Sequence, residues 1–86
     1  MMAQRPSLAK GVRLRASGES AILLVPEGAL TLNSTAAAAL ELADGTRTLD
    51  DIARALVDRF EVAPGRARQD VEELFSRLAE RQLVDL

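Results

Sequence analysis

The chain has 86 residues, with 48% hydrophobic and 28% charged side chains and only two aromatics, Phe60 and Phe75, so one domain with a thin aliphatic core is expected. Cysteine and histidine are both absent, which excludes disulfides, thiolate or imidazole metal sites, and the usual general base near neutral pH. The net charge of −2 disfavours a nucleic-acid partner, and no apolar run approaches the roughly 20 residues needed to span a bilayer.

Residues 1–10 are predicted to be a flexible N-terminal segment, because Pro6 disfavours a helix there, and residues 11–86 are predicted to form the domain. Residues 12–15 alternate apolar and basic side chains, as a half-buried strand does. Residues 16–20, which contain Ser17-Gly18, predict a hairpin turn. The apolar run at residues 21–25 predicts a central strand covered on both faces.

Pro26 ends this second strand and Gly28 allows the chain to reverse, so residues 29–32 are predicted to be a third strand. Asn33 follows as the N-cap of a first helix over residues 34–43, since its side chain can accept a hydrogen bond from the first turn. Gly45 lies where a left-handed C-terminal cap is expected.

Thr48 predicts the N-cap of a second helix, with Asp51 completing a weaker form of the capping box. Its apolar residues recur with helical spacing at positions 49, 52, 53, 56, 57 and 60. Pro64 fits the first position of a third helix that ends near Arg81. The apolar stripe of that helix is Ala67, Val71, Leu74, Phe75 and Leu78. Beyond it, Leu83, Val84 and Leu86 form a short tail that either packs onto the helices or frays.

Three strands followed by three helices predict an α+β fold, a winged helix-turn-helix with a three-stranded antiparallel sheet. Such folds often bind DNA, but the arginines of the third helix are interleaved with acidic residues. Two pairs, Arg68 with Glu72 and Glu73 with Arg77, have the i, i+4 spacing that stabilises a helix locally. These charges are therefore interpreted as partners of each other and not as a surface for phosphates.

A small enzyme is the second alternative, since carboxylates are adjacent at Asp50-Asp51 and at Glu72-Glu73. Adjacent helical residues point about 100° apart. Nothing in the sequence places two carboxylates in an apolar cleft that would keep one protonated. The five glycines are isolated turn residues and form no phosphate-binding loop. Catalysis is therefore not expected.

Peptide binding remains, because an edge strand offers unpaired backbone groups to an added strand. The third strand and one face of the third helix would form the groove. The predicted peptide-binding residues are Ala29, Leu30, Thr31, Leu32, Arg68, Val71, Glu72, Phe75 and Leu78. Leu74 and Leu78 are also strong candidates for the core, and the sequence leaves open whether Val71 and Phe75 belong to the groove or to the core.

Several segments, in their order along the chain, resemble the PqqD family of pyrroloquinoline quinone (PQQ) biosynthesis. They are Leu23-Leu24-Val25-Pro26-Glu27-Gly28, Leu32-Asn33-Ser34-Thr35-Ala36, Leu40-Glu41-Leu42-Ala43-Asp44-Gly45-Thr46-Arg47-Thr48, Asp70-Val71 and Leu83-Val84, preceded by residues 8–13. The resemblance implies a winged helix-turn-helix recognition element for ribosomally synthesized and post-translationally modified peptides, a RiPP recognition element. Such a protein is a peptide chaperone that binds a PqqA-like precursor peptide as an extra strand. It also implies presentation of that peptide to a PqqE-like radical S-adenosylmethionine enzyme that cross-links a Glu and a Tyr.

The absence of a signal-peptide core and of a membrane-spanning run predicts a cytoplasmic protein, and an exposed edge strand leaves a monomer or a homodimer open. The resemblance further implies that no cofactor is bound. Three features depart from the family pattern. Ala43 stands where relatives often have Cys, Gln82 stands where they often have Gly, and the segment at residues 16–20 is short. Since the same domain serves other peptide-maturation pathways, recognition of another precursor peptide stays an alternative.

Overall fold

The computed structural model describes residues 2–17 and 20–86, which form an α+β domain. In chain order the elements are β1 (Ser7–Leu8), β2 (Arg13–Ser17), β3 (Ser20–Val25), β4 (Gly28–Leu32), α1 (Ser34–Glu41), α2 (Leu49–Phe60), α3 (Pro64–Glu80) and β5 (Val84–Asp85). The winged-helix-like arrangement of an antiparallel three-stranded sheet followed by helices confirms the predicted fold class. No helix in the described part of the chain is long and apolar enough to cross a membrane.

The larger sheet has the order β2–β3–β4, so β3 is central, as predicted. Its burial alternates, with Ala21 and Leu23 buried and Ile22 36% exposed. The expectation that this strand is covered on both faces is therefore wrong, because α1 packs against one face of the sheet. Ser17 pairs with Ser20 across the first hairpin; the predicted turn residue Gly18 lies outside the described residues.

Side-chain caps begin the first two helices where the sequence predicted them. The Asn33 Oδ1 atom accepts a hydrogen bond from the Ala36 N–H at 2.8 Å. In α2, the Asp51 N–H donates to Thr48 Oγ1 and the Thr48 N–H donates to the Asp51 carboxylate, each at 3.0 Å, which completes the capping box. These bonds satisfy backbone donors that a first helical turn leaves without partners.

The prediction for the end of α1 is wrong. The helix ends at Glu41, and its cap residue Leu42 is right-handed with φ −88°. Gly45 does have a left-handed backbone, at φ 85°, but it lies in the following turn and donates its N–H to the Pro6 carbonyl at 2.9 Å. Gly45 therefore contacts the N-terminal segment and does not cap the end of α1.

Residues 2–10 pack against the helical half of the domain instead of preceding it. The Leu49 and Asp50 N–H groups donate to the carbonyls of Gln4 and Met2 at 2.9 and 3.0 Å. Strand β1 pairs with β5. Of the two outcomes predicted for the C-terminal tail, packing back and fraying, the structure shows packing back. These contacts give backbone partners to the first turn of α2 and to the short strand β5, and the domain boundary at residue 11 stays a prediction. The flexibility expected of residues 1–10 stays a prediction.

The core combines the facing sides of α1, α2 and α3 with the inner face of the sheet, against which α1 packs. Its largest fully buried side chains are Phe75, Leu23, Leu40, Leu49, Ile52, Leu56 and Val71, together with Pro6. Helix α3 has Pro64 in its first turn and Arg81 as its cap residue, as predicted. Gln82 then adopts the left-handed conformation, with φ 60°, that the family resemblance assigned to a glycine. A non-glycine residue carries steric strain in this conformation.

Candidate functional site

Strand β4 forms one edge of the sheet, because its ladder partner in the described chain is β3 alone. Hydrogen-bonded and non-hydrogen-bonded pairs alternate along an antiparallel ladder. Counted from the two-residue connection between Val25 and Gly28, this alternation directs the backbone groups of Leu30 and Leu32 toward β3. The N–H and C=O groups of Ala29 and Thr31 then point to the open edge, where an added strand would pair.

A pocket of about 440 Å³ lies between the end of β4 and helix α3. Its apolar lining comes from β4, all three helices and the α2–α3 connection. These apolar residues are Leu32, Ala36, Ala39, Leu56, Val62, Val71 and Leu74. Leu74 is half-buried, so part of its side chain is available for contact. A pocket with an apolar floor beside a free strand edge offers both backbone pairing and a place for a side chain of an extended ligand.

Charged residues of α3 form the rim of this pocket. Arg66 pairs with Asp70, with 3.2 Å between Nε and Oδ1, and both residues line the pocket. Gln69 donates weakly to Glu73 at 3.4 Å. The rim therefore carries charges of both signs around an apolar floor.

Neither ion pair predicted within α3 is present among the described residues. Arg68 pairs with Asp50 of α2 instead, with 3.1 Å between Nη2 and Oδ1. Asp50 also forms an ion pair with Arg54 of its own helix, with 2.7 Å between Oδ2 and Nη2. This carboxylate therefore links α2 to α3. Packing of α2 against α3 brings Asp50 next to Arg68, and residue spacing within α3 alone does not reveal this contact. The interpretation of these charges as partners of each other is thus correct for Arg66 and Asp70, but not for the pairs that were named.

The structure brings together three of the predicted site residues at the pocket: Thr31, Leu32 and Val71. Ala29 and Leu30 lie further along β4, on the same strand but outside the pocket lining. The four others, Arg68, Glu72, Phe75 and Leu78, do not line it.

Helical geometry explains the difference on α3. Phe75 is 0% exposed and Leu78 6%, so both side chains belong to the core, and Val71 at 1% exposure forms only the floor of the pocket. Arg68 and Glu72 lie on the exposed side that faces away from the pocket. Residues 66, 70, 73, 74 and 77 share the neighbouring face at i, i+3, i+4 spacing and line the pocket. The face of α3 that lines this pocket is therefore the one next to the predicted face, and it includes Leu74, which the sequence favoured as a core residue.

The missed residues were Arg66, Asp70, Glu73, Leu74 and Arg77. Their spacing is visible in the sequence as a row parallel to the apolar stripe. Selecting this row requires knowing that Phe75, and not Leu74, is the centre of the buried face. Only the packing of α3 against α2 shows this.

A larger depression, about 680 Å³, lies at the opposite edge of the sheet. It is bordered by β2, by Leu8 and by the end of α1, with Leu14 and Leu40 among its apolar residues. Strand β2 is therefore a second edge at which a strand could add. Fewer large apolar residues line this depression than the pocket beside β4, where the floor includes residues of three helices.

Among the described residues, the carboxyls of Asp44 and Asp51 have shifted pKa values, and neither lines the pocket. Hydrogen bonds from the Thr46 side chain and backbone lower the pKa of Asp44. The pKa of Asp51 is lowered mainly by the hydrogen bond from the Thr48 backbone N–H, and further by the Thr48 side chain. Both shifts arise in turn and cap structures, so they concern stability and not a chemical step.

A family model described as "Coenzyme PQQ synthesis protein D (PqqD)" matches residues 20–84. The chain belongs to the PqqD family. The PqqA binding protein of Xanthomonas axonopodis pv. citri is 34% identical to it over 84 residues, which cover 95% of this chain and 91% of that protein. The bifunctional coenzyme PQQ synthesis protein C/D of Methylorubrum extorquens is 32% identical over 82 residues, and the matched part spans 22% of that longer protein.

Solved structures share the PqqD-like fold. The solution NMR structure of the PqqD truncation of Methylobacterium extorquens PqqCD has a TM-score of 0.80 at 31% identity, covering 94% of this chain and 88% of that chain. It represents a functional, stand-alone recognition element for ribosomally synthesized and post-translationally modified peptides (RiPPs). TbiB1 in complex with the TbiA(beta) leader peptide has a TM-score of 0.79 at 16% identity, covering 92% of this chain and 94% of that chain, and so it supports the fold.

Proposed function

We propose that this chain is a peptide chaperone that binds the ribosomal precursor peptide of PQQ as an added strand on β4. The observation that carries the proposal is the open edge of β4 beside a pocket of about 440 Å³ with an apolar floor and a charged rim, in a member of the PqqD family. The relatives named PqqA binding protein support a peptide as the ligand. The relative from Methylorubrum extorquens, a bifunctional PQQ synthesis protein C/D, supports a role together with another protein of the same pathway.

Binding would combine two kinds of contact. The outward backbone groups of Ala29 and Thr31 would pair with the peptide backbone, which gives affinity independent of sequence. One apolar side chain of the peptide would enter the pocket against Leu74, Val71 and Leu32. Burial of that side chain would add selectivity, because apolar area removed from water contributes roughly 25 cal/mol per Å².

The chaperone itself performs no chemical step in this proposal. It presents the peptide to a radical S-adenosylmethionine enzyme, which cross-links the Glu and Tyr of a Glu-x-x-x-Tyr segment. Recognition by a non-catalytic element is consistent with the binding-protein names of the relatives. The arginines and carboxylates of α3 that line the pocket would form a rim of mixed charge around the groove.

Proline substitution at the strand edge tests the pairing. Thr31→Pro removes the N–H that points to the open edge, so affinity for the precursor peptide should fall by about tenfold, the equivalent of one backbone hydrogen bond. The matched control is Ala16→Pro, since residue 16 has the corresponding outward position on β2. Isothermal titration calorimetry with the synthetic precursor peptide measures both affinities after circular dichroism has shown that each variant is folded.

The two edges predict opposite outcomes. Loss of affinity in Thr31→Pro with retention in Ala16→Pro would support pairing at β4. The reverse pattern would move the peptide to the depression beside β2 and contradict the proposal. Thr31→Val serves as a further control, because it keeps the backbone N–H and should change affinity little.

A further inference from the structure

The face of the sheet that α1 leaves uncovered, here called the outer face, carries Arg13, Arg15, Ile22, Leu24, Ala29 and Thr31. Strand pairing places these side chains in two rows across β2, β3 and β4. Arg13 lies opposite Leu24, and Leu24 lies opposite Ala29. Arg15 lies opposite Ile22, and Ile22 lies opposite Thr31. Since alternate side chains point to the same side of a strand, all six are neighbours on one surface.

Two large apolar side chains occupy the centre of the outer face. Ile22 is 36% exposed; in the described chain, only Leu86 is another large hydrophobic residue exposed to this degree. Leu24 is half-buried, and neither Ile22 nor Leu24 is among the residues that pack against the buried core. A central strand with one solvated face usually carries polar residues there. Packing of the core therefore does not explain why these two positions are aliphatic.

Positive charge borders this apolar pair. Arg13 and Arg15 are exposed, and neither forms an ion pair with any residue that the structure describes. No described side chain on the outer face is acidic, although the chain as a whole has a net charge of −2. The surface thus has an apolar centre with two cations at one side that pair with no described carboxylate, and a complementary surface would be apolar with carboxylates at its border.

The outer face is continuous with the proposed peptide site. A strand added to β4 would extend the same pleated sheet, so every second peptide side chain would lie beside Ala29 and Thr31 on the outer face. The intervening side chains would point toward α3. A protein that docks on the outer face would therefore contact both this chain and half of the peptide side chains.

We infer that the outer face is the docking surface for the enzyme that modifies the bound peptide, through an apolar patch on that enzyme bordered by carboxylates. The inference rests on the proposed function and adds the face on which the complex forms. Docking there would leave the α3 side of the groove free to hold the peptide while the outward peptide side chains face the enzyme.

Charge reversal and apolar truncation on the outer face test this inference. Arg15→Glu and Ile22→Ser should each weaken binding of the purified radical S-adenosylmethionine enzyme to the chaperone–peptide complex by tenfold or more, measured by biolayer interferometry. Affinity for the synthetic precursor peptide alone should stay within about twofold of the parent value. Arg81→Glu is the matched control, because Arg81 is an exposed cation at the far end of α3 and forms no ion pair among the described residues.

The outcomes separate the two proposals. If the parent binds the peptide, but Arg15→Glu and Ile22→Ser bind the enzyme as the parent does, the docking surface is wrong and the proposed function survives. If the parent does not bind the peptide, the proposed function fails and the inference fails with it. Sedimentation of the parent alone that shows a dimer abolished by Arg15→Glu would overturn the inference in favour of a second copy on this face. If Ile22→Ser does not fold, Arg15→Glu decides the test.

Discussion

Two neighbouring residues on α3, Leu74 and Phe75, have opposite environments. Phe75 is 0% exposed and lies among the largest buried side chains, whereas Leu74 is half-buried and lines the pocket beside β4. Adjacent positions on a helix differ by about 100° in direction, so one can face the core while the next faces a groove. The two side chains should therefore affect stability and binding differently.

We expect Leu74→Ala to weaken binding of the precursor peptide by about 1–2 kcal/mol, because the pocket loses apolar contact area. Phe75→Leu should leave peptide affinity nearly unchanged and lower the free energy of unfolding by about 1–2 kcal/mol through a partly filled cavity. Calorimetric titration measures the affinities, and urea denaturation measures the stabilities.

Leu74 also contacts the core, so some loss of stability is expected in Leu74→Ala, and its affinity must be measured where the variant is fully folded. A Phe75→Leu variant that stays as stable as the parent but binds the peptide poorly would contradict the assignment. Such a result would return Phe75 to the groove.

At the scale of the element, the N-terminus of α2 shows how a short sequence signal becomes a stable boundary. Thr48 and Asp51 cap one another, and the carbonyls of Met2 and Gln4 accept hydrogen bonds from the same turn. Asp51 also places negative charge at the positive end of the helix dipole. The ionised form of Asp51 is therefore expected to stabilise this helix start.

Asp51→Asn should lower stability near pH 7, and the difference from the parent should shrink in acid. The folded-state pKa of Asp51 is lowered from its ordinary value of 3.8. The ionised carboxylate therefore stabilises the fold above pH 3.8, and this contribution is lost as the pH falls through the folded-state pKa. Thermal denaturation of both proteins between pH 2.5 and 7 measures the difference, with the pH limits set by roughly where an aspartate titrates.

Asp58→Asn provides the control, because Asp58 is an exposed acid in the last part of the same helix. Its negative charge lies toward the C-terminal end of the helix dipole, so Asp58→Asn should not lower stability near pH 7. A constant difference between Asp51→Asn and the parent across the whole pH range would show that the charge of Asp51 does not stabilise α2.

At the scale of the whole molecule, charge separates this winged-helix-like domain from one that binds DNA. The net charge is −2, and the arginines of α3 are distributed between the pocket rim and an ion pair with Asp50 of α2. A protein that binds duplex DNA draws much of its affinity from cations placed against phosphates. The charges of α3 do not form a single cationic surface.

We therefore expect no binding to a mixed-sequence DNA duplex at micromolar protein concentration, even at low salt. Fluorescence anisotropy of a labelled duplex measures this, with the labelled precursor peptide as the positive control. Salt-sensitive binding of the duplex at micromolar or tighter affinity would favour a winged-helix regulator instead.

The sequence by itself determined the elements that depend on neighbouring residues. Asn33, Thr48 and Pro64 mark the starts of the three helices because capping and proline geometry act within one helical turn. The β3–β4 hairpin follows from Pro26 and Gly28 for the same local reason. The order of these segments along the chain carried the resemblance to the PqqD family, and the family match and the fold confirm that prediction.

Only the tertiary structure decided which surfaces these elements expose. It placed Phe75 in the core and Leu74 at the pocket, directed Arg68 to Asp50, and left Ile22 on an uncovered sheet face. It also joined residues 2–10 to the domain through β5 and α2. Each of these outcomes depends on contacts between residues far apart in the chain. Periodicity along one element defines its apolar side but does not show which edge of that side another element covers.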